Sequence, residues 1–294
     1  MTPQWTLLPL LREAAQYLTQ KGIPNARLDV EILMAQVLGC QRIDLYLRHD
    51  QPMAGEELDR FREVIRRRSQ REPLAYITGT KEFWSLSFRV TPHVLIPRPE
   101  TEVLVEAALQ AIRERKTARE GPLRVLEVGT GSGAAAIALA TELGEGIHLI
   151  ATDRSSDVLE IARGNARILS VEGRVIFQQS DLFEALGPDK TTFSVILTNP
   201  PYVAVGQIER LAPEIRDYEP REALDGGTDG LAMIRRIIRE APRWLEAGGA
   251  LLLEVGDGQR ASIEEILRGS GCWSAWAWRQ DLSGKDRVLC ATKA

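Results

Sequence analysis

Cysteine and histidine are both scarce, at three each in 294 residues. Cys40, Cys272 and Cys290 are odd in number and too widely spread for a zinc pattern, and so few histidines leave a metal site short of ligands. No metal is expected, and the thiols read as the reduced cysteines of a cytoplasmic protein. Long apolar runs are missing too. The longest, about Gly133 to Ala140, falls far short of the roughly 18 residues that cross a bilayer. The start Met1-Thr2-Pro3-Gln4 has no basic signal-peptide region, so a soluble, unexported chain with no membrane partner is expected.

Positive charge is not in excess either. The formal net charge is -4, with 11 basic against 10 acidic residues up to Thr80 and 26 against 31 after it. A protein that grips duplex nucleic acid shows a basic footprint. Only Arg66-Arg67-Arg68 with Arg71 is concentrated here, and that group reads as the solvated face of a helix. Stable nucleic-acid binding is therefore not expected. What is present is ordinary globular usage, 44% hydrophobic and 27% charged with 24 Gly and 15 Pro, which excludes a disordered, collagenous or coiled-coil chain. The length suits one large domain or two ordinary ones.

The chain divides by texture. Leu7, Leu11, Ala14 and Leu18 recur at helical spacing until Gly22 and Pro24, and Leu28, Ile32 and Ala35 repeat that period up to Gly39. A third segment, Glu56 to about Arg71, carries Leu58, Phe61 and Ile65 on one face before Pro73 ends it. Residues 1–79 are thus expected to be a small helical domain. Residues 80–100 are expected to be a strand-pair linker, because Phe83, Trp84, Leu86, Phe88 and Val90 lie near period two. From Thr101 to Ala294 strand and helix alternate. Strands are predicted at 123–128, 147–152, 174–178, 194–198, 250–255 and 287–292, and helices from 101 to about 115 and at 134–143, 158–169, 230–245 and 261–267. That alternation predicts an α/β fold with a doubly wound, mostly parallel, Rossmann-like sheet.

Four elements fall at the carboxyl ends of predicted strands, the edge where such sheets bind ligands. Glu127-Val128-Gly129-Thr130-Gly131-Ser132-Gly133 joins a strand to a helix. Its glycines allow a tight turn and close approach of a ligand to backbone, and the helix N-terminus offers N–H groups. The same loop without a ligand would be a plain strand-to-helix turn. Its G-x-G-x-G spacing departs from the dinucleotide G-x-G-x-x-G, Ala134 standing where the last glycine would be. Asp153 ends the next strand and can accept both ribose hydroxyls, or else cap a helix in competition with Ser155 or Ser156. Asp181 can accept from an adenine amino group with Leu182 covering the ring, or else be a loop acid beside the core pair Leu182-Phe183.

Asn199-Pro200-Pro201-Tyr202 is the fourth element. Two prolines can neither continue a strand nor sit inside a helix, so the segment is rigid. An amide or aromatic amine is a poor nucleophile because its lone pair is delocalised. It can attack a sulfonium methyl if both N–H groups are held by acceptors that turn the lone pair toward the carbon. The Asn199 side-chain oxygen and the Pro200 carbonyl are two such acceptors, and Tyr202 can pack on the planar group.

At these residues the sequence resembles the HemK/PrmC family, the release factor glutamine N5-methyltransferases. The likeness extends through Arg71-Glu72-Pro73-Leu74-Ala75-Tyr76-Ile77-Thr78-Gly79, through Leu95-Ile96-Pro97-Arg98-Pro99-Glu100-Thr101-Glu102, and from Glu219-Pro220 to Asp229-Gly230-Leu231. It implies a class I S-adenosylmethionine-dependent methyltransferase domain. S-adenosylmethionine would lie on Gly129, Thr130, Gly131, Ser132 and Gly133, with ribose at Asp153, adenine near Asp181 and Leu182, and Asn199 beside the methyl. The target glutamine, in the Gly-Gly-Gln loop of bacterial class 1 release factors, would be held by Asn199, Pro200, Pro201 and Tyr202, and S-adenosylhomocysteine would be the product. The resemblance also implies that residues 1–79 dock the release factor and that Arg98 to Glu102 border the cofactor. Where some members of the family place an aromatic residue over the adenine, this chain has Leu182, so an apolar contact replaces stacking.

Three other functions share part of this pattern. An adenine-N6 DNA methyltransferase would use the same tetrapeptide but needs a target-recognition domain and a basic groove. A nicotinamide-dependent dehydrogenase shares the glycine loop and Asp153 but leaves Asn199 to Tyr202 unexplained. A cofactor-binding module without catalysis shares every motif.

Overall fold

In the computed structural model, which describes residues 5–118, 121–144, 146–187 and 192–294, the chain forms two units. One comprises the residues up to Gly79 together with Ala212–Tyr218, and the other Thr80–Leu211 together with Glu219–Ala294.

The first unit holds helices α1 (Leu7–Gln20), α2 (Ala26–Leu38), α3 (Arg42–Leu47), α4 (Gly55–Ser69) and α5 (Leu74–Thr78). Leu7, Leu11 and Leu18 of α1 pack with Phe61 and Ile65 of α4, as their spacing predicts. The face of α2 differs in part from the expected one. Ala35 is buried as expected, but Leu28 is 41% exposed and Ala26, Val30, Leu33 and Met34 are buried in its place. Apolar residues occur around most of that helix, so their period alone does not select the inner face. The α3 helix is too short for periodicity to reveal, and Asp44 accepts the Gln41 N–H at its start.

The arginine cluster is not a solvated face. Arg66 pairs with Glu63 at the surface, but the Arg68 side chain is only 7% exposed and donates to Asp29 at 2.7 Å. Arg68 and Arg71 both reach Glu214, at 3.1 and 2.8 Å. A buried carboxylate on α2 and a half-buried one in the 212–218 segment demand cations, and Asp29 and Glu214 turn two of the four arginines inward.

In the second unit the expected linker is part of the domain. Strands β1 (Thr80–Phe83) and β2 (Leu86–Arg89) form an antiparallel hairpin. Phe83 and Phe88 are buried in this unit's core, and Asn165 bonds both backbone groups of Arg89. Then follow α6 (Thr101–Ala118), β3 (Leu123–Val128), α7 (Ala134–Leu143), β4 (Ile147–Asp153), α8 (Ser156–Ile168), β5 (Val175–Gln179) and β6 (Phe193–Thr198). Next come α9 (Val205–Ile208), α10 (Pro213–Arg216, in the first unit), α11 (Ala232–Glu240), β7 (Leu245–Glu254), α12 (Arg260–Ser270), β8 (Trp273–Gln280) and β9 (Asp286–Lys293).

The sheet order is β5-β4-β3-β6-β7-β9-β8. Only β9 runs against its neighbours. Residues of α6, α7 and α8 cover one face with Val125, Leu149 and Val195, while α11 and α12 cover the other with Leu126, Ile196 and Leu251. Burial on both faces explains why the central strands read as unbroken apolar runs. The helix expected at 230–245 stops at Glu240, because Pro242 lies in a one-turn 3-10 segment and Leu245 already begins β7. The unforeseen β8 is an edge strand with one face toward solvent. Its Trp276 and Trp278 are covered by Arg268 and Arg260. No helix among the described residues is long and apolar enough to cross a membrane.

Candidate active site

One cavity lies along the carboxyl ends of β3, β4 and β6, and its wall includes every expected site residue except Gly133 and Tyr202. The glycine loop leaves β3 and enters α7. Gly131 has φ 55° and an added Cβ there meets no protein atom within 4 Å. At Gly133, φ 82°, a Cβ would stand 2.9 Å from Ile137 Cδ1 and 3.2 Å from Ala162 Cβ. The first glycine therefore keeps backbone open to the cavity, and the second lets α7 and α8 close together.

Two of the N–H groups expected to face a ligand are already taken. Gly131 N–H donates to Asp153 Oδ2 at 3.1 Å. Ala136 N–H donates to Glu127 Oε2 at 3.1 Å, which also accepts the Thr130 hydroxyl at 2.6 Å. Burial lifts the Glu127 carboxyl to about 7 and also raises Asp153, against the pull of the N–H groups of Ser155 and Gly131. With two of its N–H groups held by protein carboxyls, this helix N-terminus has fewer left for a pyrophosphate. This counts against the dehydrogenase reading.

The ambiguity at Asp153 is resolved by its neighbour. Ser155 caps α8 by accepting the Val158 N–H, and Asp153 instead ties the glycine loop to the end of β4. Asp181 lies on the cavity wall but is 48% exposed and pairs with Arg236 of α11 at 3.4 Å. Leu182 is both things the sequence allowed. It is buried in the core with Phe183, and it lines the cavity, with φ 49°.

Asn199 follows β6. Its Nδ2 donates to Thr101 Oγ1 at 3.2 Å, and no described residue donates to its Oδ1. Pro200 and Pro201 continue the wall. Tyr202 turns the other way, into a groove with Gln259 and Leu231, and its hydroxyl donates to Glu254 at 3.4 Å. Burial against Glu254 raises the Tyr202 phenol well above its ordinary range. The motif from Glu219 to Leu231 is the brace of this tetrapeptide. Val203 exchanges backbone bonds with Leu224 and Gly226 at 2.9 and 2.8 Å, and Gln259 Nε2 holds the Tyr202 and Gly230 carbonyls at 3.0 and 3.2 Å.

Of the stretch Arg98 to Glu102, Arg98 and Thr101 line the cavity. Glu102 does not; its carboxylate accepts the Trp84 N–H of the β1-β2 hairpin. Arg98 is anchored by the buried Glu219 at 2.6 Å. Sequence reasoning missed Glu127 as an acceptor for α7 and Thr101 as the partner of Asn199, and it missed Glu254 and Gln259 altogether. A Glu directly before the glycines was the one available signal.

Residues 9–79 match the PrmC N-terminal domain family, and residues 120–283 a methyltransferase domain family. A release factor glutamine methyltransferase of Geobacter sulfurreducens is 41% identical, over 97% of this chain and 96% of its own. One from Rhodopirellula baltica is 40% identical, over 99% and 97%. Among solved structures, the human Mettl16 catalytic domain in complex with a MAT2A 3'UTR hairpin superposes with TM-score 0.57 at 17% identity, covering 75% of this chain and 80% of that one. A likeness at that identity establishes the fold, a methyltransferase sheet.

Proposed function

The chain belongs to the release factor glutamine methyltransferase family, and on that premise we propose that it methylates the Gly-Gly-Gln glutamine of bacterial class 1 release factors, so modulating termination in the cytoplasm. When bound, S-adenosylmethionine supplies an electrophilic sulfonium methyl. The glycine loop, Asp153, Asp181 and Leu182 would hold it, and the acid-lined cavity suits its charge. Asn199 Oδ1 and the Pro200 carbonyl would accept the two N–H groups of the glutamine amide, while Tyr202 and the prolines fix that acceptor pair. Transfer of that methyl would leave S-adenosylhomocysteine as the product, and the amide nitrogen held by Asn199 and Pro200 would give up one proton to water. The helical unit, which matches the PrmC N-terminal domain, would dock the release factor.

The observation that carries this reading is the Asn199 amide. Its NH2 is spent on Thr101, and its oxygen is left for an N–H donor at the wall of the cofactor cavity. Removing one preorganised hydrogen bond of the transition state costs about 2.7 to 4 kcal/mol, so Asn199→Ala should lose on the order of a hundredfold or more in kcat. Cofactor affinity measured by calorimetry should hardly change. Asn199→Asp keeps an acceptor and should fall between alanine and wild type. A folded Asn199→Ala protein that binds cofactor and methylates at the wild-type rate would refute the clamp.

A further inference from the structure

Asn199 can serve as an acceptor only with its amide the right way round. Flipped, it would present NH2 to the NH2 of the target, donor against donor. The two orientations have nearly the same shape, so packing cannot choose between them and hydrogen-bond partners must. Among the described residues, the one partner on its Nδ2 is Thr101 Oγ1 at 3.2 Å. Thr101 is 8% exposed. It stands at the first residue of α6, held there by its own N–H on the Arg98 carbonyl at 3.1 Å.

A hydroxyl can donate or accept, and would tolerate either orientation of Asn199 unless its own proton is committed elsewhere. Glu254, the last residue of β7 and fully buried, supplies that commitment. Its Oε1 accepts the Tyr202 hydroxyl at 3.4 Å, and its Oε2 has no partner at normal hydrogen-bond geometry among the described residues. The Thr101 hydroxyl also faces this carboxylate and favours its charged form. Arg287 of β9 favours its charge and Glu100 opposes it. An ionised carboxylate only accepts, so the Thr101 and Tyr202 protons both point at it and the Thr101 lone pair is left for the Asn199 NH2.

We propose that Thr101 and Glu254 are positioning residues that set the orientation of the Asn199 amide, and that methyl transfer requires Glu254 to be ionised. The proposal rests on the acceptor role given to Asn199 above. Burial lifts the Glu254 carboxyl to about 7. Below that pH it becomes a donor, turns a hydroxyl around and releases the amide.

The test is kcat at saturating cofactor and release factor between pH 6 and 8, with cofactor affinity from calorimetry and melting temperature measured alongside. Wild type should lose activity on the acid side of about pH 7, and Glu254→Gln should be slower but flat across the range. Thr101→Val should lose tenfold or more in kcat with cofactor affinity within about threefold, and Thr101→Ser should recover most of the rate. Undiminished kcat in Thr101→Val, or an unchanged acid limb in Glu254→Gln, would overturn the proposal. If Thr101→Val does not fold, the Glu254→Gln profile decides alone. Asn199→Ala measured in parallel separates the two levels: if it loses activity while Thr101→Val keeps it, only the positioning role fails, and if it too keeps activity the clamp itself fails.

Discussion

Gly131 and Gly133 are two residues apart, and an added Cβ separates their roles. At Gly131 it enters open cavity, so Gly131→Ala should cost about 1 kcal/mol of folding stability for its left-handed backbone and weaken S-adenosylmethionine binding on top of that. At Gly133 it meets Ile137 and Ala162, so Gly133→Ala should mainly lower stability, by about 1 to 3 kcal/mol of overpacking. Calorimetry and urea unfolding on both variants check this; equal losses of affinity at both sites would contradict it. Residues inside a contiguous motif could be picked out as candidates, as Gly129 to Gly133 and Asn199 to Tyr202 were. Thr101 and Glu254 could not be given their roles behind them. They lie far apart in the chain, at a helix start and a strand end, and only the fold brings them together behind Asn199.

Among the elements, β3 and α7 begin and end where their patterns predict, at 123–128 and 134–143. A strand buried on both faces and a small-residue helix beginning at a glycine each carry one strong signal. The α2 helix and β8 were harder because each depends on its neighbours. The inner face of α2 is settled by Asp29 finding Arg68, and β8 is half exposed, with Trp273 buried in the core while Trp276 and Trp278 pack at its edge under arginines. Breaking a buried pair leaves an uncompensated charge, so Arg68→Ala should destabilise the protein by about 3 to 5 kcal/mol in urea unfolding. Arg66→Ala, which removes a surface pair, should cost no more than about 1 kcal/mol. Equal small costs would show that the arginines are after all a solvated face.

Across the whole molecule, strand order decides function, because β3, β4 and β6 lie side by side and bring three loops from distant parts of the chain to one edge. The alternation of strand and helix was enough to predict that edge. The inclusion of residues 80–100 in the second unit and of 212–218 in the first was hidden, since burial of Phe83 and Phe88, or pairing of Glu214 with Arg68, leaves no local periodicity. The most direct test of the central claim is to incubate the protein with S-adenosylmethionine carrying a labelled methyl and a bacterial class 1 release factor, then locate the label by peptide mass spectrometry. One labelled methyl on the Gly-Gly-Gln glutamine, absent when that glutamine is alanine, is the predicted result; label on another residue, or none on the release factor while duplex DNA is methylated, would contradict it.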